Sequence, residues 1–313
     1  MKDHLAAEKF QDPQLTAKGE RRAEVALNDP ETLWFNTGTL CNIACESCYI
    51  ESSPTNDALV YLSADDVTNY LDQLESRRWN VREIAFTGGE PFMNPEMIEM
   101  MRRSLGRGYD VLVLTNAMRP MMRKSVLAGL TELIETYRDK LTFRISLDHW
   151  SAEFHVKERG KGSFEISLIG MRWLRDAGAT MTVAGRTMWD EPEAAARLGY
   201  GAVYAAEGFK IDAQDPAKTV LFPEINGDTE VPEITDACWG ILNVAPSSVM
   251  CASSRMVVKR KGADPPTVVA CTLLPYDPEF ELGASLEEAE TSVKLNHPHC
   301  AQFCVLGGAS CSG

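Results

Sequence analysis

No run of 18 or more apolar residues occurs anywhere in the 313 residues, so nothing in the chain reads as a membrane-spanning helix. The start carries no charged head, apolar centre and small-residue cleavage site, so no secretory signal is expected. Basic residues are in deficit: 31 Lys and Arg stand against 45 Asp and Glu, a net charge of −14. That balance gives no support to nucleic-acid binding as the main task. The one local basic run, Val258–Lys259–Arg260–Lys261, is followed by Gly262 and Pro265–Pro266 and reads as a solvated strand end or turn. Internal repeats and low-complexity segments are also missing. Hydrophobic residues, at 44%, are not scarce, and they can fill a full core. Nor is cysteine, with nine residues. An odd, unevenly clustered set without a signal peptide argues against a disulfide framework. The expectation is a cytoplasmic protein whose thiols are available to metal.

Residues 1–31 are polar, with a peripheral helix expected over Leu15–Leu27. Strands are expected at Leu33–Thr37, Val81–Phe86, Asp110–Asn116, Leu141–Asp148, Thr180–Thr187 and Thr219–Ile225, separated by helical patterns. One of these helices opens at Ser63–Ala–Asp–Asp66, a capping-box arrangement. Such alternation predicts an α/β fold with a parallel sheet, of about six β/α units, closer to a partial (β/α)6 TIM-like barrel than to a full eight-fold one. Near residue 230 the alternation stops and cysteine and proline become frequent. The domain reading is therefore 1–31 as an N-terminal extension, 32–230 as the barrel, and 231–313 as a small Cys-rich domain.

The chain is organised around Cys41–Asn–Ile–Ala–Cys45–Glu–Ser–Cys48, three thiols on the loop leaving the first expected strand. Three soft ligands with no fourth close by suit an iron–sulfur cluster with one iron left open. A zinc loop or a chance cluster stays as the alternative, although a structural zinc normally has four protein ligands. In barrels of parallel strands the active site sits at the carboxyl ends of the strands. Gly88–Gly89–Glu90–Pro91, Thr115–Asn116, Ser146 with Asp148, and Arg186 all fall at such ends.

With these motifs in hand, the chain resembles the radical S-adenosylmethionine (radical SAM) superfamily. The resemblance implies that Cys41, Cys45 and Cys48 hold a [4Fe–4S] cluster whose open iron is chelated by the amino and carboxylate groups of SAM. It implies that Gly88, Gly89 and Glu90 contact the SAM amino group, and it sets Thr115 and Asn116 at the same mouth. Ser146 and then Asp148, before His155, Arg159–Gly160 and Gly162–Ser163–Phe164, are implied to hydrogen-bond the SAM ribose or carboxylate region. Asp148 could instead cap a turn. Arg186 could pair with the SAM carboxylate or form a structural salt bridge. The sequence departs from the family pattern at Ser47, at Ala117 and at His149–Trp150.

Six further cysteines follow residue 237: Cys238, Cys251, Cys271, Cys300, Cys304 and Cys311. Together with Glu281–Leu–Gly283–Ala–Ser–Leu286, they resemble the SPASM/twitch appendage of radical SAM enzymes, which implies one auxiliary [4Fe–4S] cluster here. Cys271, Cys300, Cys304 and Cys311 are the expected ligands. Cys251 could replace Cys271 or be a spare, Cys238 is expected to be a buried small hydrophobe, and a four-cysteine zinc site is the alternative. The implied activity is reductive cleavage of SAM to a 5′-deoxyadenosyl radical that abstracts hydrogen from substrate, with an electron donor such as flavodoxin or ferredoxin. The short leader tilts the substrate toward a small molecule. The alternatives are maturation of a ribosomal peptide or protein, and a non-catalytic iron–sulfur electron-transfer protein.

Overall fold

The structure is a computed structural model and describes residues 9–77, 79–223 and 230–308. After a two-residue strand β1 (Glu24–Val25), six strands alternate with helices: β2 (Thr32–Asn36), α1 (Ala64–Ser76), β3 (Glu83–Thr87), α2 (Met97–Gly106), β4 (Asp110–Thr115), α3 (Lys124–Tyr137), β5 (Leu141–Ser146), α4 (Ala152–Arg159), α5 (Ser163–Asp176), β6 (Thr180–Thr187), α6 (Glu193–Glu207) and β7 (Thr219–Pro223). The C-terminal region adds β8 (Ser254–Val258), β9 (Thr267–Val269) and β10 (Val293–Lys294). One eight-stranded sheet has the order β7-β6-β5-β4-β3-β2-β8-β9. Its neighbours from β7 to β8 run parallel, as the alternating pattern predicts, and β9 returns antiparallel to β8.

The sheet is buried on both faces, which is what its near-continuous apolar strands require. In β2, Leu33 and Phe35 pack with Tyr70 and Leu71 of α1, while Trp34 packs on the other side with Met250, Met256 and Phe280. The helices therefore cover one face and the C-terminal region fills the other. Phe35 is fully buried and stacks on Phe86, so Phe35→Ala would cost about 3–5 kcal/mol. The capping box forms as expected: Ser63 Oγ accepts from Asp66 N at 3.0 Å, and Asp66 Oδ2 accepts from Ser63 N at 2.8 Å.

The helix expected over Leu15–Leu27 does not form. Gly19 turns the chain back at φ +75°, Leu15 bridges to Arg21, and β1 pairs with β10. Arg22 is fully buried and reaches Glu233 at 2.6 Å, which also accepts the N–H groups of Phe10 and Ala17. Tertiary pairing outweighs the local helical pattern here.

Candidate functional site

The carboxyl ends of β2 to β6 bring the three-thiol loop together with the other marked residues. Cys41 is buried, while Cys45 and Cys48 are half-buried. The loop is held by groups distant in sequence. Glu158, on α4, accepts Glu46 N through its carbonyl at 2.9 Å and Ser47 N through its carboxylate at 3.3 Å. Arg186 Nη2, from β6, donates to Ser47 O at 3.1 Å. Tyr276, in the C-terminal region, donates its hydroxyl to Ile50 O at 2.8 Å. Cys48 Sγ accepts from Ser52 N at 3.4 Å.

Gly88 and Gly89 make room for the chain itself. A Cβ on Gly89 would lie 2.3 Å from Leu40 O, and one on Gly88, at φ +144°, would lie 2.6 Å from Gly38 O. Their absent side chains let the strand end lie flat against the residues that enter the cysteine loop. Glu90 is buried at 1% exposure. Its carboxylate accepts Thr115 Oγ1 at 2.8 Å, Asn116 N at 2.9 Å and Phe92 N at 3.2 Å. Burial pushes the Glu90 carboxyl up, and these bonds oppose the shift. Asn116 Nδ2 continues the chain of bonds to Asn42 Oδ1 at 3.0 Å, inside the cysteine loop. Ala117, where the family pattern has glycine, adopts φ +55°.

At the end of β5, Ser146 is half-buried and Asp148 is buried. Asp148 Oδ2 meets Arg159 Nε at 2.6 Å, its Oδ1 meets Arg159 Nη2 at 3.1 Å, and Arg186 Nε stands 3.4 Å from Oδ1. Burial raises the Asp148 carboxyl, and the two arginines more than reverse this, holding it below the usual carboxylate value. Arg159 also faces Cys41 and Cys45, a charge of the sign that favours thiolates. Burial pushes the Cys41 thiol up to about 12, and raises Cys45 as well. His149 and Trp150 both reach Glu191: His149 Nε2 lies 3.0 Å from Glu191 Oε2, and Trp150 Nε1 donates to Glu191 Oε1 at 3.0 Å.

A second set of thiols gathers around the amino end of β8. Cys251 precedes β8, Cys271 follows β9, and Cys300 and Cys304 lie on a π-helical turn over Cys300–Val305. All four line one small apolar hollow, with Val249, Leu273 and Phe280. Cys311 lies outside the described residues. Cys238 is half-buried and receives Thr235 N at 3.4 Å. No described cysteine forms a disulfide. Among the described residues, no three His, Cys, Asp or Glu side chains converge on one metal-ion position. A [4Fe–4S] cubane makes a different demand, one thiolate to each iron it binds. The donor sets fit that demand: three thiols beside a cation in the first site, and four in an apolar hollow in the second.

Glu158, Arg159, Tyr276 and Glu191 carry no functional signal of their own in the sequence, although Arg159–Gly160 lies in the stretch that carries the resemblance. Among the described residues no helix is long and apolar enough to cross a membrane.

Residues 35–198 match the sequence profile of the radical SAM superfamily. The chain belongs to the radical SAM superfamily, whose members use a [4Fe–4S] cluster and SAM. It is 36% identical over 155 residues to the antilisterial bacteriocin subtilosin biosynthesis protein AlbA of Bacillus subtilis (strain 168), a match covering 48% of this chain and 32% of that protein. It is 30% identical over 168 residues to the mycofactocin maturase MftC of Mycolicibacterium smegmatis, covering 54% and 39%. The chain thus spans well under half the length of these relatives. Among solved structures, Streptococcus suis SuiB bound to S-adenosylmethionine superposes with a TM-score of 0.59 at 12% identity, covering 82% of this chain and 63% of that one. SuiB bound to its precursor peptide SuiA gives 0.56. At that identity the likeness is one of fold.

Proposed function

We propose that this chain is a radical SAM maturase acting on a peptide. The observation that carries the reading is the meeting, at one end of the sheet, of the Cys41–Cys45–Cys48 loop with the Gly88–Gly89–Glu90 edge and the ends of β4, β5 and β6. In this reading Cys41, Cys45 and Cys48 hold a [4Fe–4S] cluster and leave one iron for SAM. Bound there, the cluster and SAM supply one-electron cleavage of SAM to methionine and a 5′-deoxyadenosyl radical that takes a hydrogen atom from substrate.

The chain's own residues position and shield. Glu158 and Arg186 fix the loop, and Arg159 lends it positive charge. Gly88, Gly89 and Glu90 form the edge for the SAM amino group, braced by Thr115 and Asn116. Ser146 offers its hydroxyl to SAM. Asp148 acts through Arg159 and Arg186, which makes it a positioning residue. An external donor of the flavodoxin or ferredoxin kind supplies the electron. Cys251, Cys271, Cys300 and Cys304 hold a second [4Fe–4S] cluster in this reading, with Cys251 taking the place expected for Cys311.

The names of AlbA and MftC, and the SuiB complex with a precursor peptide, weigh toward a peptide substrate over the small molecule favoured by sequence alone. Reconstituted protein with dithionite and SAM should release 5′-deoxyadenosine, and the Cys41, Cys45 and Cys48 triple alanine variant should not; equal release by both refutes the activity. A deuterated peptide encoded beside the gene should pass deuterium into 5′-deoxyadenosine. Transfer from a metabolite and from no such peptide would replace the peptide reading.

A further inference from the structure

Arg255 lies in β8, four residues beyond Cys251, and is buried at 1% exposure. Among the described residues its guanidinium donates only to backbone carbonyls: Nε to Ala289 O at 2.9 Å, Nη1 to Cys251 O at 2.6 Å and Ser254 O at 2.8 Å, and Nη2 to Thr291 O at 3.0 Å. Those dipoles take up four of its five N–H groups but leave its net charge uncompensated. The other buried arginines each face a carboxylate. Arg22 has Glu233 at 2.6 Å, Arg197 has Glu193 at 2.7 Å, and Arg144 stands in the field of Glu83. No carboxylate among the described residues pairs with Arg255, and the ionisable groups it faces are Cys251 and Cys271. A buried charge left unpaired is strongly unfavourable. Neutral thiols cannot balance it, whereas an anionic cluster held by thiolates can.

We propose that Arg255 is the fixed counter-charge of a [4Fe–4S] cluster held by Cys251, Cys271, Cys300 and Cys304, and that it sets that cluster's reduction potential. The inference rests on the reading that these four thiols hold a cluster. Such a cluster is anionic in its oxidised state and more so once it accepts an electron, so a nearby guanidinium favours the reduced form. With a thiolate on every iron, no position is left open for substrate, and the cluster's potential becomes its working property. Arg255 acts through the cluster and is a positioning residue.

The test uses the full chain carrying Cys41→Ala, Cys45→Ala and Cys48→Ala, so that only the second cluster is loaded. Reduction is followed by EPR against applied potential. Arg255→Met should move the midpoint to more negative potential, cutting the reduced-to-oxidised ratio at fixed potential about tenfold, which is ~59 mV for a one-electron couple. Arg255→Lys, which keeps the charge, should stay close to the parent. Loss of the cluster in Arg255→Met alone, with Arg255→Lys loaded, also supports the inference. An unshifted midpoint in Arg255→Met overturns it. So does an equal shift in Arg255→Lys, or cluster loss in both variants, since shape and not charge would then be decisive. If the background protein binds no iron–sulfur cluster at all, the ligand reading itself fails, a result distinct from an unshifted midpoint.

Discussion

Arg159 and Asp148 form a two-point ion pair just beyond the carboxyl end of β5, Nε to Oδ2 at 2.6 Å and Nη2 to Oδ1 at 3.1 Å, with the arginine turned toward Cys41 and Cys45. The pair couples the strand end to the thiol loop. It gives Asp148 a task that needs no direct contact with a ligand.

Removing the charge of Asp148 strands a guanidinium that is only slightly exposed. Asp148→Asn should destabilise the fold by about 3–5 kcal/mol, read from denaturant unfolding. The folded carboxyl lies below its unfolded value, so the pair's contribution is full above the unfolded pKa and is lost as pH falls through the folded one. The gap between parent and variant should hold above about pH 4 and close in stronger acid. A variant as stable as the parent at neutral pH would remove the pair from the account.

Ser146 should behave differently from Asp148. Ser146→Ala should weaken SAM binding by about 1–2 kcal/mol while leaving thermal stability and iron content near the parent. Calorimetric titration of SAM into the reconstituted protein decides this. Unchanged affinity would leave Ser146 with only a role in shaping the strand end.

Gly89 has no space for a side chain. Gly89→Ala would place a Cβ 2.3 Å from Leu40 O, pushing on the chain that leads into Cys41. The expected outcome is a loss of about 1–3 kcal/mol and of the iron bound by the first loop, with the second site still loaded. Full loading of both sites would show that the loop yields without harm.

The hollow brings Cys251 beside Cys271, Cys300 and Cys304, whereas the sequence puts Cys311 in the fourth place and leaves Cys251 as a replacement for Cys271 or a spare. With two cubanes the intact protein should carry about eight irons, and Cys251→Ser should lose about half of them. Cys311→Ser should keep them. The reverse pattern would return the fourth position to Cys311.

The Cys41–Cys48 motif was legible because its ligands are neighbours in sequence, and the parallel strands because their alternation with helices is regular. What holds the loop was not. Glu158 meets Ser47 from 111 residues away with no local pattern to mark it, and Arg186, marked only by its place at a strand end, reaches it from 139. Cys300, Cys304 and Cys311 attract attention by spacing, whereas Cys251 and Cys271 reach the hollow only because β8 and β9 form a hairpin that returns the chain. The leader misled for a related reason: Leu15–Leu27 carries a helical pattern, but burial of Arg22 against Glu233 requires a turn and a strand. Gly88 and Gly89 were noticed as a ligand edge, while their close neighbour proved to be the chain at residues 38–40.

The position of β8 beside β2 bears on how the chain is made. Thr32 lies opposite Ser254, so the strand that launches the first thiol loop waits for a partner 222 residues later. During translation, six parallel strands can emerge and pair while β2 still presents an open edge. Such long-range pairing is slow, and an open edge is prone to wrong partners. The flank of the nascent first loop is thus uncovered until β8 is made. Docking of Ser254–Val258 then closes that flank and carries Cys251 into place in the same movement.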